Sequence, residues 1–364
     1  MNWFILIIFI ISITLFLITK YYLLKKKIAL EKQEHFTNES ILTSSDKLLK
    51  YHNIQITYLD TIEAEKLIVK DGEYLQGMNQ SNLSARGCVN IDELYKKYKT
   101  AFDDISKDEK NTIDTFILNL LKELKWKNVF YYNYITKWLK TISIAKAKYW
   151  LESGMPHTLD TTIIMDAKWF KNPRKLTLVH EITHIHQRQS PLDFNDLYPL
   201  LGYEYNPIDI KGLEHIYPLN RNNPDGMDKY WLWHNKNNTY WWIGAIFKNA
   251  IPDSLVDVNM VALQLEKEIK QTTGDNNIYY YLNKEPIQLN KLTDFETFFG
   301  DNPNNYHPNE MTAKFAEWYL SEILSDSKNN TDNTDNTDNK YEKYEGYRIY
   351  KKYFENMINV YYSR

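Results

Sequence analysis

The stretch KLTLVHEITHIHQRQSP, residues 175–191, brings His180, Glu181 and His184 together within five positions. On an α-helix, residues four positions apart share a face, so both histidines would point their imidazoles to the same side. Glu181 would lie one step round the helix, within reach of a water molecule at a metal without being a ligand. This H-E-x-x-H pattern predicts a zinc site with Glu181 as the general base.

The residues around the pattern predict the element that carries it. Asn172 can cap a helix, Pro173 suits the first helical position, and Pro191 ends the helix. Upstream, the segment MPHTLDTTIIMD, residues 155–166, has an alternating, β-branched centre and predicts a strand. We therefore expect a strand that is followed closely by a metal-binding helix.

The segment PHTLDTTIIMD followed by LTLVHEITHIHQRQ resembles the zincin metallopeptidases, and it is similar to uncharacterised zinc peptidases of large DNA viruses. The resemblance is strongest over residues 156–189 and is absent from the apolar N-terminal run and from the Asn/Thr/Asp repeat near the C-terminus. It implies Zn²⁺ as the cofactor and a peptide or protein as the substrate. It also implies an edge strand at residues 161–165 that pairs with extended substrate.

A zinc site of this kind needs a third protein ligand. The zincin branch with the motif H-E-x-x-H-x-x-G-x-x-H is excluded, because Gln187 and Ser190 stand at two of its positions. The gluzincin branch takes a glutamate from a second helix, often within Asn-Glu-x-x-Ala, and NEMTA lies on a helix predicted over residues 307–324. The resemblance thus implies Glu310 as the third ligand. Glu310 would also suit the first turn of its helix without any metal, and other candidate ligands remain: Glu317, Glu214 and Glu204.

The expected chemistry follows from these parts. Zinc would polarise the scissile carbonyl and activate water, and Glu181 would take the proton and pass it to the leaving amine. A hydrogen-bond donor must also face the developing oxyanion. The sequence leaves three candidates for that donor: His307, Tyr306 and Arg221.

The N-terminal segment differs from the remainder of the chain. No charged side chain occurs before Lys20, and further lysines follow at residues 25–27. This pattern predicts a transmembrane helix in contact with lipid through residues 3–24, with the N-terminus outside and the body in the cytosol. A cleaved signal peptide is disfavoured, because the charge follows the apolar run and no Ala-x-Ala site is present.

Composition narrows the remaining classes. The single cysteine, Cys88, excludes an intramolecular disulfide and a cysteine-based zinc site. The formal charge of -3 gives no reason to expect nucleic acid as a partner. The predicted organisation is a transmembrane anchor (1–24), a juxtamembrane stalk with a small strand and loop region (25–90), a zincin-like metallopeptidase domain (91–325), a disordered repeat (326–340) and an amphipathic helix (341–364).

The sequence therefore predicts an α+β fold, with an N-terminal transmembrane helix followed by a zincin-like domain whose edge strand packs on the H-E-x-x-H helix. The predicted function is that of a zinc-dependent endopeptidase anchored in a host or virion membrane. The alternative is a non-catalytic, membrane-anchored virion or structural protein on the same scaffold, and a purely structural zinc is a third reading. Glu181 favours the enzyme, because metal binding alone does not require it.

Overall fold

The computed structural model describes residues 54, 56–70, 74–75, 77–206, 210–226, 231–272, 275–301, 306–325 and 340–362. The chain divides into two units, Met1–Lys47 and Leu48–Arg364, and every described residue belongs to the second. The predicted anchor and all of the Asn/Thr/Asp repeat except Lys340 lie outside the described residues.

The described part of the chain has no helix that is both long enough and apolar enough to cross a membrane. Its longest helix, Lys107–Lys127, has charged side chains at both ends and in its middle. The prediction of a fold with a transmembrane helix is corrected on this finding, and so is the placement of the chain as a single-pass membrane protein. The observed fold is α+β with two sheets.

The described α-helices are α1 (Thr61–Lys70), α2 (Gln80–Ala85), α3 (Ile91–Tyr98), α4 (Lys107–Lys127), α5 (Val129–Leu139), α6 (Ala167–Lys171), α7 (Lys175–Gln189), α8 (Leu192–Asn195), α9 (Leu197–Leu200), α10 (Thr293–Phe299), α11 (Pro308–Leu324) and α12 (Glu345–Tyr362). The described strands are β1 (Thr57–Tyr58), β2 (Phe102–Asp103), β3 (Ser143–Ala147), β4 (His157–Leu159), β5 (Thr162–Asp166), β6 (Tyr203–Tyr205), β7 (Trp231–His234), β8 (Tyr240–Phe247), β9 (Val258–Thr272), β10 (Asp275–Leu282) and β11 (Ile287–Gln288).

The first sheet lies beside the H-E-x-x-H helix. Its order is β1-β3-β5-β4, with β2 pairing to β3, and β4 is antiparallel to β5. The single strand predicted over residues 155–166 is two strands, β4 and β5, and the edge position expected for residues 161–165 is wrong. The chain reverses at Asp160, where φ is +52°, and this turn folds β4 over the outer side of β5. The edge strand is therefore β4.

The H-E-x-x-H helix, α7, is fixed by apolar side chains on its inner side. Leu178, Val179, Ile182 and Ile185 are fully buried, and they join a core that also contains residues of β5 and α11. The helix begins at Lys175 and ends before Ser190. The predicted start at Asn172 and Pro173 is wrong, because Asn172 instead ends the short helix α6.

The second sheet is antiparallel, in the order β10-β9-β8-β7-β6, with β11 pairing to β9. The sequence KYWLWHNKNNTYWWIGAIF, with two aromatic runs around Asn-Lys-Asn-Asn, predicts a hairpin, and β7 and β8 confirm it. The sequence PDSLVDVNMVALQLEKEI, residues 252–269, is compatible with a strand followed by a helix, and the helical part of this prediction is wrong. Val261, Leu263 and Leu265 are all buried at every second position, and this alternation is that of a strand.

The C-terminal helix α12 confirms the helical spacing predicted for residues 341–364. Tyr347 and Tyr350 are buried, and each ring lies 5.6 Å from the ring of Phe315 on α11. Tyr347 and Tyr350 therefore belong to the core, and they pack against the helix that carries Glu310.

Candidate metal centre

The structure brings together the three residues predicted to be metal ligands. His180 and His184 lie on α7, and Glu310 lies in the first turn of α11. Their ligand atoms all lie within 4.8 Å of one another. His184 and Glu310 are buried, whereas the His180 side chain keeps 13% of its surface exposed. This group could hold a metal ion and has one side open to the outside.

The distances within the group match a single ion. Glu310 Oε2 lies 3.3 Å from His180 Nε2 and 3.9 Å from His184 Nε2. Ligand atoms at about 2.0–2.1 Å from one tetrahedral ion lie about 3.3 Å apart. The three side chains therefore need only small movements to coordinate a common ion.

The protonation of His184 follows from its neighbour Gln187. The Gln187 amide nitrogen donates to the Asn309 carbonyl at 2.9 Å and to Thr312 Oγ1 at 2.7 Å. A carbonyl can only accept, so the Gln187 Oε1 atom must face His184 Nδ1, at 2.8 Å, and accept its proton. His184 Nε2 then carries no proton, and its lone pair faces the cluster. This atom has no hydrogen-bond partner among the described residues. A buried lone pair without a hydrogen-bond partner is free to coordinate a metal ion.

A carboxylate holds the other histidine from behind. Glu317 Oε1 lies 2.8 Å from His180 Nδ1, and Lys314 Nζ contacts the same carboxylate at 2.7 Å. Burial acts to raise the pKa of Glu317, but the hydrogen bonds and charges of His180 and Lys314 together outweigh burial and lower that pKa. An ionised Glu317 accepts the Nδ1 proton, so the Nε2 atom of His180 faces Glu310, where it can hold either a proton that hydrogen-bonds to that carboxylate or a metal ion. Histidine ligands of metals commonly have this carboxylate support.

The ionisation of Glu310 suits a metal ligand. Burial would raise its pKa, but the hydrogen bond with His180 and the nearby charges of His184 and His180 outweigh burial and lower the pKa to about 2. Asn223 donates from its amide nitrogen to the other carboxylate oxygen, Oε1. Glu310 is therefore ionised and held at both oxygens.

Glu181 differs from the three ligand candidates. It is buried, and its Oε2 atom has no hydrogen-bond partner in the described part of the chain. Burial, followed by the charge of Asp225, raises the pKa of Glu181 well above its usual value. Glu181 thus lies beside the cluster but outside its ligand set. One of its carboxylate oxygens accepts no hydrogen bond from any described residue.

A cleft of about 220 Å³ opens onto this cluster. His180, Glu181 and Glu310 line it, together with Tyr306 and Arg221. The two last residues were candidates for the oxyanion donor, and the structure places both at the cleft. The Tyr306 hydroxyl contacts Arg221 Nη2 at 3.3 Å and also the amide of Asn223.

His307, the third candidate donor, has a different place. Its Nδ1 atom accepts a hydrogen bond from the backbone N–H of Asn309 at 3.1 Å and so caps α11. The other candidate ligands also lie elsewhere. Glu204 contacts Tyr280 and Lys267, and Glu214 accepts from the backbone of Gly212.

Sequence reasoning missed the residues that support the ligands. Glu317 lies seven positions after Glu310, which is two helical turns along the same face of α11, so helical spacing carried a signal. Gln187 lies three positions after His184 and carried a similar signal. Asn223 and Asp225 belong to a loop, where no periodicity could reveal them.

Comparison with known proteins found no matching family model, no matching curated protein and no matching solved structure. The resemblance to zincins therefore stays a prediction. The function has to be argued from the geometry of the site.

Proposed function

We propose that the chain is a zinc-dependent peptidase in which His180, His184 and Glu310 hold the metal and Glu181 is the general base. The observation that carries the proposal is the unpartnered carboxylate oxygen of Glu181 beside a three-ligand group. A structural zinc takes four protein ligands, whereas a catalytic zinc has three and keeps one position open. Two histidines and one glutamate are a known catalytic set.

Zinc is the metal that this set of donors favours. The ligand atoms are two imidazole nitrogens and one carboxylate oxygen, whereas magnesium and calcium prefer oxygen ligands throughout. The spacing between His180 and Glu310 is that of a tetrahedral site. When bound, zinc would polarise the scissile carbonyl and lower the pKa of water.

The residues of the chain supply the other steps. Glu181 accepts a proton from the attacking water and donates it to the leaving amine. Burial and the charge of Asp225 raise the pKa of Glu181, and this makes its carboxylate a stronger base than that of an exposed glutamate. The hydroxyl of Tyr306 lines the cleft and can donate to the oxygen on which charge develops.

The test compares wild type with Glu181→Gln, using the full chain loaded with zinc and a mixture of peptides analysed by mass. We expect Glu181→Gln to bind as much zinc as wild type, and its cleavage rate to fall by roughly 10²–10⁴-fold. The exposed Glu285 provides a matched control, Glu285→Gln. Equal cleavage by wild type and Glu181→Gln would remove the mechanism. Zinc binding without cleavage by wild type would favour a non-catalytic protein on a zincin-like scaffold.

A further inference from the structure

The edge strand next to the cleft cannot take an added strand at its centre. The N–H of Thr158 donates to Asp225 Oδ1 at 3.1 Å, and the Thr158 carbonyl accepts from Arg188 Nη2 at 3.0 Å. Alternate residues of a strand turn their peptide groups to opposite sides. In the three-residue strand β4, Thr158 is the residue whose groups face away from β5, and both groups are occupied.

The residues that close this edge are firmly held. Asp225 and Arg188 form an ion pair at 3.2 Å, in which the Asp225 side chain is 3% exposed. Arg188 also donates to the carbonyl of Pro224. Breaking a buried ion pair leaves a charge uncompensated, which is strongly unfavourable. A substrate must therefore be oriented by another group in the cleft.

Arg221 is the one lysine or arginine among the described residues that line the cleft. Its guanidinium contacts the Leu255 carbonyl at 3.5 Å and the Tyr306 hydroxyl at 3.3 Å, and it lies 5.7 Å from the centre of the Tyr306 ring. Within the described chain it forms no ion pair with a carboxylate. A guanidinium has five N–H donors, so these contacts leave donors of Arg221 unused.

Apart from Glu181, the proposed general base, each carboxylate that lines the cleft already has a partner or a ligand role. Glu152 pairs with Arg86 at 2.7 Å, and Asp225 pairs with Arg188. Glu310 belongs to the metal group, and Glu317 holds His180. Arg221 therefore has a positive charge that a ligand carboxylate can match. The planar guanidinium suits a carboxylate because two parallel hydrogen bonds can form.

We propose that Arg221 binds a carboxylate of the substrate next to the scissile bond. This inference rests on the proposed peptidase function and narrows its substrates to two kinds of peptide. The carboxylate is either the side chain of Asp or Glu, as in an endopeptidase, or a free C-terminus, which would make the enzyme a carboxypeptidase. Tyr306 and Asn223 link Arg221 to Glu310 through successive hydrogen bonds. Hydrolysis adds one water: the carbonyl carbon gains the hydroxyl group, and the leaving nitrogen gains the proton.

The test measures binding in the catalytically impaired Glu181→Gln protein, with the full chain loaded with zinc. Three N-acetylated alanine peptides of equal length are compared by calorimetry: a free acid, its C-terminal amide, and an amide with one internal glutamate. We expect the free acid or the glutamate peptide to bind more tightly than the neutral amide. Adding Arg221→Gln should weaken that binding by roughly 10- to 150-fold, the range for one hydrogen bond to a charged group.

Two further variants make the result specific. Arg221→Lys keeps the charge but loses the paired donors, so an intermediate loss is expected. Lys248→Gln removes an exposed cation outside the cleft that pairs with Asp257, and it should leave binding unchanged. Zinc content and thermal melting of each variant confirm that the fold is retained.

Tighter binding of the free acid alone identifies the C-terminus as the source of the carboxylate, and tighter binding of the glutamate peptide alone identifies a side chain. Equal binding of all three peptides by the parent protein overturns the inference. It is also overturned if Arg221→Gln keeps the preference, since the metal would then bind the carboxylate. A preserved carboxylate preference in a wild type that cleaves nothing would contradict the peptidase function but leave the Arg221 site standing.

Discussion

The imidazole of His180 lies between two carboxylates, with Nδ1 2.8 Å from Glu317 Oε1 and Nε2 3.3 Å from Glu310 Oε2. The two glutamates therefore have different tasks, although both were candidates for the third ligand. Glu310 shares its side of the ring with His184, whereas Glu317 fixes the orientation of the ring and its tautomer.

Glu317→Gln should weaken metal binding without removing it. The amide keeps the size of the side chain but lacks the charge that holds the Nδ1 proton of His180. Replacing such a supporting group lowers metal affinity by about 10–100-fold. Titration with zinc against a chromophoric chelator measures the change. Glu322→Gln is a matched control on the same helix, because Glu322 pairs with Lys351, and an affinity for zinc in Glu317→Gln equal to that of this control would contradict the role.

Gln187→Ala should destabilise the fold and weaken metal binding together. The change leaves the His184 Nδ1 proton without its acceptor. A buried group left unsatisfied costs about 1–3 kcal/mol. Urea unfolding and chelator competition measure the two effects. Gln189→Ala, at the exposed end of the same helix, should show neither, and a Gln187→Ala protein that matches it would refute the assigned tautomer.

The buried pair of Arg86 and Glu152 should make stability depend on pH. Burial acts to raise the pKa of Glu152, but the charge of Arg86 and its hydrogen bond outweigh burial and lower that pKa. A carboxylate with a lowered pKa contributes stability above its unfolded pKa of about 4.3. That contribution is lost as the pH falls through the lower, folded value.

The measurement is the free energy of unfolding of wild type and Glu152→Gln across a pH series. We expect the difference between them to be about 3–5 kcal/mol near neutral pH, the usual effect of breaking a buried pair. The difference should shrink once the pH is below about 4, as wild type loses the charge of Glu152. A difference that stays constant down to acid pH would show that the Glu152 charge does not contribute.

Helical spacing accounts for the part of the site that the sequence could predict. His180 and His184 are four positions apart, and α7 places them on one face. Glu310, by contrast, was implied only by the resemblance to gluzincins, and α11 brings it to the histidines. Such local patterns survive folding because a helix fixes its own geometry whatever surrounds it.

The rest of the fold depends on contacts between distant residues. Asp225 closes the edge strand at Thr158 across 67 positions, and no local pattern encodes that contact. The apolar residues of β9 have a spacing that is also compatible with a helix. Pairing with β8 on one side and β10 on the other makes this segment a strand. The edge strand of the first sheet was predicted wrongly for the same reason, because a turn at Asp160 places β4 outside β5.

The most direct test of the central claim is the zinc content of the full-length protein, measured by mass spectrometry of the metal after dialysis. Wild type should carry one zinc ion per chain, and so should the control Glu214→Ala, which removes a carboxylate bonded to the backbone of Gly212. His180→Ala, His184→Ala and Glu310→Ala should each carry almost none while they remain folded. A wild type without zinc, or a Glu310→Ala protein that keeps the full amount, would contradict the account.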